Sequence, residues 1–366
     1  MKMIKVLIVD DSAIMRSILS EILGSDPGIE IIGTAPDVQV ARRKIKALNP
    51  DVITLDVELP GMDGISFLQK IMQLRPTPVV MISGHTQENS EVALKALEMG
   101  AIDVIGKSAI NVDLSISGKS DEIREKVKSA ANANVAGIRS GQLSADKKPT
   151  GQISSSNLTS DKLIFVGASA GGVEAMRQVI GRLPPDCPPL LYTQHMPKEF
   201  TGPFAKRLND GSALQVHEAE DQMQINQGHI YLAPGNAHLS ISQRKGSFYC
   251  RLDRGDPVNG HRPSVDVLFR SAAQLLGKKA IGVILTGMGK DGAAGLLEMS
   301  QAGSFTLGQD KATSLIYGMP RVAMEMGAVS MQASLRRIPE EIMNACRKID
   351  GRSSAKGSEF AEPSKK

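Results

Sequence analysis

Hydrophobic and polar positions divide the chain into two patterned blocks with a polar stretch between them. In the first block, short β-rich apolar runs alternate with segments whose apolar residues recur at helical spacing. The run Ile4–Val9 predicts a strand. After it, Ile14, Met15, Ile18, Leu19, Ile22 and Leu23 share one helical face, and Ser12 stands where an N-cap belongs. The same pattern predicts strands at 30–34, 51–55, 78–83 and 103–105, with helices at about 37–48, 64–74 and 88–99. Five strand–helix repeats in roughly 110 residues predict a doubly wound (βα)5 parallel sheet. Ligands of such sheets gather at the carboxyl ends of the strands.

The pattern changes beyond residue 108. Residues 121–131 have helical character and extend the first domain to about 132. Residues 133–160 are rich in Gly, Ser, Asn, Ala and Lys and predict a flexible tether. Apolar alternation resumes with a strand at 162–166, a helix at 172–180 and a strand at 190–193. Shorter β-rich pieces follow at 228–232, 237–242 and 247–252. A later apolar strand at 280–285 runs into a glycine-rich turn and a helix. Residues 161–350 therefore predict a second α/β parallel sheet with a β-hairpin insertion, and the polar tail 351–366 predicts disorder.

Composition narrows the function classes. A chain of 366 residues exceeds one ordinary core, which fits two domains and a linker. No apolar run approaches 18 residues and the N-terminus lacks a signal-peptide cleavage region, so a cytoplasmic protein without membrane insertion is expected. Cys187, Cys250 and Cys346 are too few and too dispersed for a disulfide framework or a zinc site, and predict buried or incidental thiols. The net charge of +4 is uneven: residues 1–108 hold 11 basic and 14 acidic side chains. The absence of a long Lys/Arg run and of tryptophan argues against nucleic-acid binding.

Two constellations carry chemistry. In the first block, Asp10 and Asp11 follow one strand and Asp56 ends another. Ser83 ends the fourth, and Lys107 follows the fifth. A carboxylate accepts a phosphoryl group when a divalent cation on oxygen ligands and a cation or hydroxyl opposite neutralise the developing charge. Asp10, Asp11, Asp56 and the backbone carbonyl of Glu58 are the candidate Mg²⁺ ligands, Asp56 is the acceptor, and Ser83 and Lys107 are the groups opposite. Residues 1–108 resemble the receiver domain of two-component response regulators through Asp10-Asp11-Ser12, Asp56, Ser83 and Lys107. They depart from it at Ser108, where the family usually has Pro, and at Val104, where a switch aromatic is common.

In the second block, Gly167-Ala-Ser169-Ala-Gly171-Gly172 joins a strand to a helix and fits Gly-x-Ser-x-Gly. Such a turn exposes a serine hydroxyl over a helix N-terminus, although glycine-rich turns of this kind equally serve as phosphate loops. His195 ends the next apolar strand and is the candidate base, and Asp291, in the turn after strand 280–285, is the candidate orienter. The order Ser, His, Asp differs from the Ser, acid, His order of α/β-hydrolases.

Nearly the whole chain, about residues 1–350, resembles the chemotaxis protein-glutamate methylesterase (CheB) family. The resemblance rests on 167–172, Gln194-His-Met-Pro197, Tyr231-Leu-Ala-Pro-Gly235, Gly260-His-Arg-Pro-Ser-Val-Asp266 and Leu285-Thr-Gly-Met-Gly-Lys-Asp-Gly292. It implies that Ser169 is the nucleophile, His195 the base and Asp291 its partner. The N–H groups of Met288 and Ala170 would bind the oxyanion. His261 and Arg262 would line the substrate cleft, with a structural loop role as the alternative. It further implies hydrolysis of glutamyl methyl esters and deamidation of glutamines on methyl-accepting chemotaxis receptors, without a metal for hydrolysis. A sensor histidine kinase would be the phosphodonor, and the unphosphorylated receiver would obstruct the cleft. The alternatives are a receiver driving a DNA-binding output, disfavoured by the α/β second half, and a hydrolase of small esters.

Overall fold

The computed structural model describes residues 3–84, 87–107, 117–134 and 161–347. Ser108, tether residues 135–160 and the tail 351–366 lie outside the described residues. The first domain holds strands β1 (Ile4–Val9), β2 (Ile29–Ala35), β3 (Val52–Asp56), β4 (Val79–Ser83) and β5 (Asp103–Gly106) in a parallel sheet of order β2-β1-β3-β4-β5. Helices α1 (Ala13–Gly24), α2 (Val38–Leu48), α3 (Gly64–Leu74), α4 (Gln87–Glu98) and α5 (Ser117–Ala131) accompany it. Every residue of β3 and β4 is buried, which is why both read as unbroken apolar runs. Each of the first three helices starts at a side-chain cap: Ser12, Asp37 and Asp63 accept from the N–H groups of Met15, Val40 and Ser66.

Helix α5 begins four residues before the predicted 121. It belongs to this domain: Arg124 donates to the carbonyl of Ile22 and the hydroxyl of Ser25, and Lys128 reaches Asp26 at 3.1 Å. Residues up to Ala131 thus pack with the first domain, in keeping with its expected extension to about 132. The tether does not begin at 133, because the Asn134 N–H donates to the Leu315 carbonyl at 2.9 Å.

The second domain is built on a seven-stranded sheet of order β14-β13-β12-β6-β7-β9-β8. Its strands are β6 (Leu163–Ala168), β7 (Leu190–Gln194), β8 (Gln215–Glu218), β9 (His229–Leu232), β12 (Ala280–Ile284), β13 (Phe305–Gln309) and β14 (Met331–Ala333), all paired in parallel. The expected hairpin is β10 (His238–Arg244) with β11 (Ser247–Asp253), an antiparallel pair outside that sheet. The helices are α6 (Gly172–Ile180), α7 (Lys198–Asp210), α8 (Val265–Leu276), α9 (Ala293–Gln301), α10 (Met319–Glu325) and α11 (Ile338–Arg347). All three cysteines are buried and outside any disulfide, and no helix among the described residues is long and apolar enough to cross a membrane.

Strand order explains where a site can form. The chain moves outward from β6 to β7 and returns later to place β12 on the other side of β6. That reversal is a topological switch point, where the carboxyl ends of a parallel sheet open a crevice. The ends of β6, β7 and β12 lead to Ser169, His195 and the loop carrying Asp291.

Candidate active site

In the first domain the strand ends bring Asp10, Asp11 and Asp56 together, with one carboxylate oxygen of each within 4.8 Å of the others. Lys107 Nζ lies 2.8 Å from Asp56 Oδ2, and the Glu58 N–H donates to Asp56 Oδ1 at 3.2 Å. Ser83 is buried at the end of β4, beside β5. Burial, reinforced by the Asp56 charge, pushes the Asp10 carboxyl up to about 6. Burial also raises Asp56, against the pull of Lys107. On Lys107 burial opposes the ammonium, yet the bond and charge of Asp56 prevail and hold its pKa up. Asp10 Oδ2 is buried without a hydrogen-bond partner. A cluster of three acids with one orphaned buried oxygen fits a hard divalent cation.

In the second domain the turn after β6 is shaped by close approach. Gly171 adopts φ +78° and caps α6 without a side chain. A Cβ at Gly172 would lie 2.2 Å from Gln194 Oε1 and 2.7 Å from Ala168 Cβ. Gln194 reaches into this turn, its Nε2 donating to the Ser169 carbonyl at 2.8 Å and the His195 carbonyl at 3.3 Å, while Tyr192 donates to its Oε1. The Ser169 N–H donates to the Thr286 carbonyl, and Thr286 Oγ1 to the Ala170 carbonyl at 3.0 Å. Among the described residues, no acceptor is bonded to the N–H of Ala170 or Met288.

His195 follows β7, and its Nε2 lies 2.8 Å from Asp291 Oδ2. Asp291 also accepts from the Val265 N–H (2.6 Å), the Ser264 hydroxyl (2.7 Å), the Asn259 amide (2.9 Å) and the Asp266 N–H (3.4 Å). The carboxylate thus sits at the N-terminus of α8 in a full shell of donors. Burial works against its charge, but the His195 bond, then Asn259 and Ser264, hold its pKa well below the ordinary range. An ionised Asp291 assigns the proton to Nε2 and leaves Nδ1 as the acceptor. Nδ1 is buried and has no hydrogen-bond partner.

Ser169 and His195 line one cavity, but no hydrogen bond joins them. His195 is stacked on His261, with ring centroids 3.8 Å apart and an interplanar angle of 13°. Burial, with the neighbouring His195 ring, lowers His261 to about 3 and keeps it neutral. Arg262 points elsewhere, donating to the carbonyls of Arg254 and Gly255. Gln194 and Ser264 lie inside motif runs yet had no individual signal, and Asn259 had none at all.

The sequence matches the family model described as CheB methylesterase over residues 164–342, and that described as response regulator receiver domain over residues 6–115. A protein-glutamate methylesterase/protein-glutamine glutaminase of Xanthomonas campestris pv. campestris is 50% identical over 345 residues, covering 93% of this chain and 96% of the relative. One from Pectobacterium atrosepticum is 50% identical over 344 residues, covering 94% and 97%. The chain belongs to the CheB methylesterase family. A solved CheB methylesterase catalytic domain from Thermotoga maritima is 38% identical, covering 50% of this chain and 97% of that one at a TM-score of 0.49.

In this CheB-family chain the receiver sits on the rim that holds Ser169 and His195. Leu97, Ile102, Asp103 and Val104 face Ser169, Ala170, His195 and Met196 across a space of about 20 Å³. That volume holds roughly one water. Ala170 and Ile316 join the apolar cluster of Ile105, Ile123, Val127 and Ala130, and Met288 packs against it. Arg207 on α7 forks onto Glu98 on α4, with Nε 3.1 Å from Oε1.

Proposed function

We propose that this chain hydrolyses glutamyl methyl esters, and deamidates glutamines, on methyl-accepting chemotaxis receptors, with Ser169, His195 and Asp291 as its catalytic residues. The observation that carries this reading is His195, bonded through Nε2 to the buried Asp291 and left with an unpartnered Nδ1 beside Ser169.

The chemistry follows from those positions. His195 Nδ1 takes the Ser169 proton as Oγ attacks the ester carbonyl. The imidazolium is stabilised by Asp291, and the N–H groups of Ala170 and Met288 receive the oxyanion. The proton then passes to the leaving methoxide, methanol departs, and a glutamyl–serine ester is left. Water gives its proton to the same nitrogen and attacks, and that proton then passes to the departing Ser169 Oγ as the glutamate carboxyl is freed. With glutamine the leaving group is ammonia. His261 buttresses the His195 ring, and Arg262 holds the loop that presents His261.

Asp56 is the phosphoacceptor, and a sensor histidine kinase is the donor. Asp10, Asp11, Asp56 and the Glu58 carbonyl would hold Mg²⁺, which supplies charge neutralisation during phosphoryl transfer. Ser83 and Lys107 face the incoming phosphoryl group. A cavity of one water's size cannot admit a receptor helix, so the closed arrangement is inactive and phosphorylation shifts the population toward an open one. A small-ester hydrolase would not need its cleft regulated by a whole domain.

Methanol release from methylated receptor membranes, with and without Mg²⁺ and a small phosphodonor, tests the function directly. Release that rises on phosphorylation is expected, and no release under either condition contradicts it. EDTA should abolish the phosphodonor's effect and leave basal release unchanged, and loss of basal release would place a metal in hydrolysis. Glu98→Arg should raise basal release about three- to tenfold, because like charges at Arg207 move the closed–open equilibrium by ~1 kcal/mol. Adding Arg207→Glu should restore the low rate, and an unaltered rate in Glu98→Arg would separate this contact from inhibition.

A further inference from the structure

The shell around Asp291 contains one residue placed unlike the rest. Asn259 Nδ2 lies 2.9 Å from Asp291 Oδ1 and 2.7 Å from Asp266 Oδ2. Both carboxylates are buried, at 1% and 2% exposure. The remaining oxygen of Asp266 accepts from the Gly295 N–H at 2.7 Å. One amide nitrogen, with its two hydrogens, therefore bridges two buried carboxyl groups and donates a hydrogen bond to each.

The backbone of Asn259 performs a second task. Val258 and His261 exchange both of their backbone hydrogen bonds at 3.0 Å, closing a two-residue turn. Its central residues, Asn259 and Gly260, have φ +54° and +78°. Asn-Gly is the pair that adopts this left-handed turn at least cost. The turn delivers the His261 ring onto His195.

We infer that Asn259 is a positioning residue for hydrolysis, orienting Asp291 through its side chain and the His195 ring through the turn that presents His261. Asp291 fixes the direction of Nε2 and His261 fixes the ring plane. Together they decide where Nδ1 points, which is the coordinate that proton transfer from Ser169 depends on. The inference rests on the hydrolase reading above and names a residue that this reading does not require.

The charged and titratable groups around the bridge are His195 and His261 on the rim, Asp266 and Arg270 on α8, Glu298 on α9 and Lys126 on α5. Arg270 offsets the acids in part, 3.7 Å from Asp266 Oδ2. A third carboxylate at 259 would therefore force a proton onto the cluster, and Asp291 would ionise at higher pH.

Two variants of the full chain, assayed for methanol release with Mg²⁺ and a small phosphodonor, separate the amide from the turn. Asn259→Gly keeps the left-handed backbone and deletes the amide. Its kcat should fall about 10- to 100-fold with KM changed less than about twofold. Asn259→Asp should move the acid limb of the pH–rate profile upward by about one unit or more. A Gly variant with wild-type kcat, or an Asp variant with the wild-type acid limb, overturns the inference. So does a Gly variant that melts below assay temperature, since the amide would then serve the fold. Wild-type chain releasing no methanol would instead sink the hydrolase reading.

Discussion

Ser169→Ala is expected to reduce methanol release by on the order of 10⁴-fold or more, leaving phosphorylation of Asp56 unchanged. The hydroxyl is the only atom removed. Ser169 is buried at the rim, its backbone is pinned by the Thr286 and Gln194 bonds, and among the described residues no hydrogen bond involves its Oγ. The turn should therefore keep its shape. Asp56 lies on the other sheet, with Lys107 as its ion-pair partner, and gains nothing from the serine. Release is measured on methylated receptor membranes and phosphorylation with a small labelled phosphodonor. Near-normal turnover in the variant would remove Ser169 as nucleophile.

Asp291→Asn should cost about 10³- to 10⁴-fold in kcat. Every neighbour of this carboxylate donates to it, so no orientation of a side-chain amide satisfies the shell. Turned one way, the NH₂ meets His195 and the Val265 N–H; turned the other way, it meets Ser264, Asn259 and the Asp266 N–H. The first arrangement places the proton on Nδ1, the wrong nitrogen for accepting from Ser169. The second leaves donors buried without acceptors, at about 1–3 kcal/mol each. The part of the pH-dependent stability that comes from Asp291 should be present in wild type alone. Because the folded pKa is depressed, Asp291 contributes stability above the ordinary carboxylate pKa, and the contribution is lost as pH falls toward the folded value. Thermal melts between neutral pH and pH 3, beside kcat at neutral pH, check both halves. Wild-type kcat in the variant would exclude Asp291 from catalysis.

The receiver was legible because β3 and β4 are buried along their whole length and Ser12 stands where an N-cap belongs, whereas pattern alone does not single out the caps Asp37 and Asp63. Strands β6, β7 and β12 were equally plain, each buried along its whole length. These three are neighbours in the sheet, so locating them located the rim. Other strands hide their nature. Strand β8 has one buried position in four and β14 one in three, so neither shows an apolar run. Strand β13 is interior, yet it buries Thr306 and Gln309, which pair with Ser330 and the Thr286 N–H. A buried polar strand looks like a loop until its partners are known.

The site divides the same way. Residue types and strand ends single out the three side chains of the proposed triad, but pattern alone does not say which imidazole nitrogen faces the acid. That depends on Asn259, Ser264 and the start of α8, and on His261, a ring delivered by a tight turn. Nor does pattern show that Val104, where receivers often carry a switch aromatic, lies across the cavity from His195. Contacts between two sheets have no periodicity in either one.

The central claim is that the alcohol at the end of β6 becomes the nucleophile. A reactive fluorophosphonate, added to full-length chain with Mg²⁺ and a small phosphodonor and mapped by mass spectrometry, addresses it most directly. The account predicts one adduct, on Ser169, formed faster after phosphorylation and absent from His195→Ala. Complete loss of methanol release with the adduct on any other residue would contradict it.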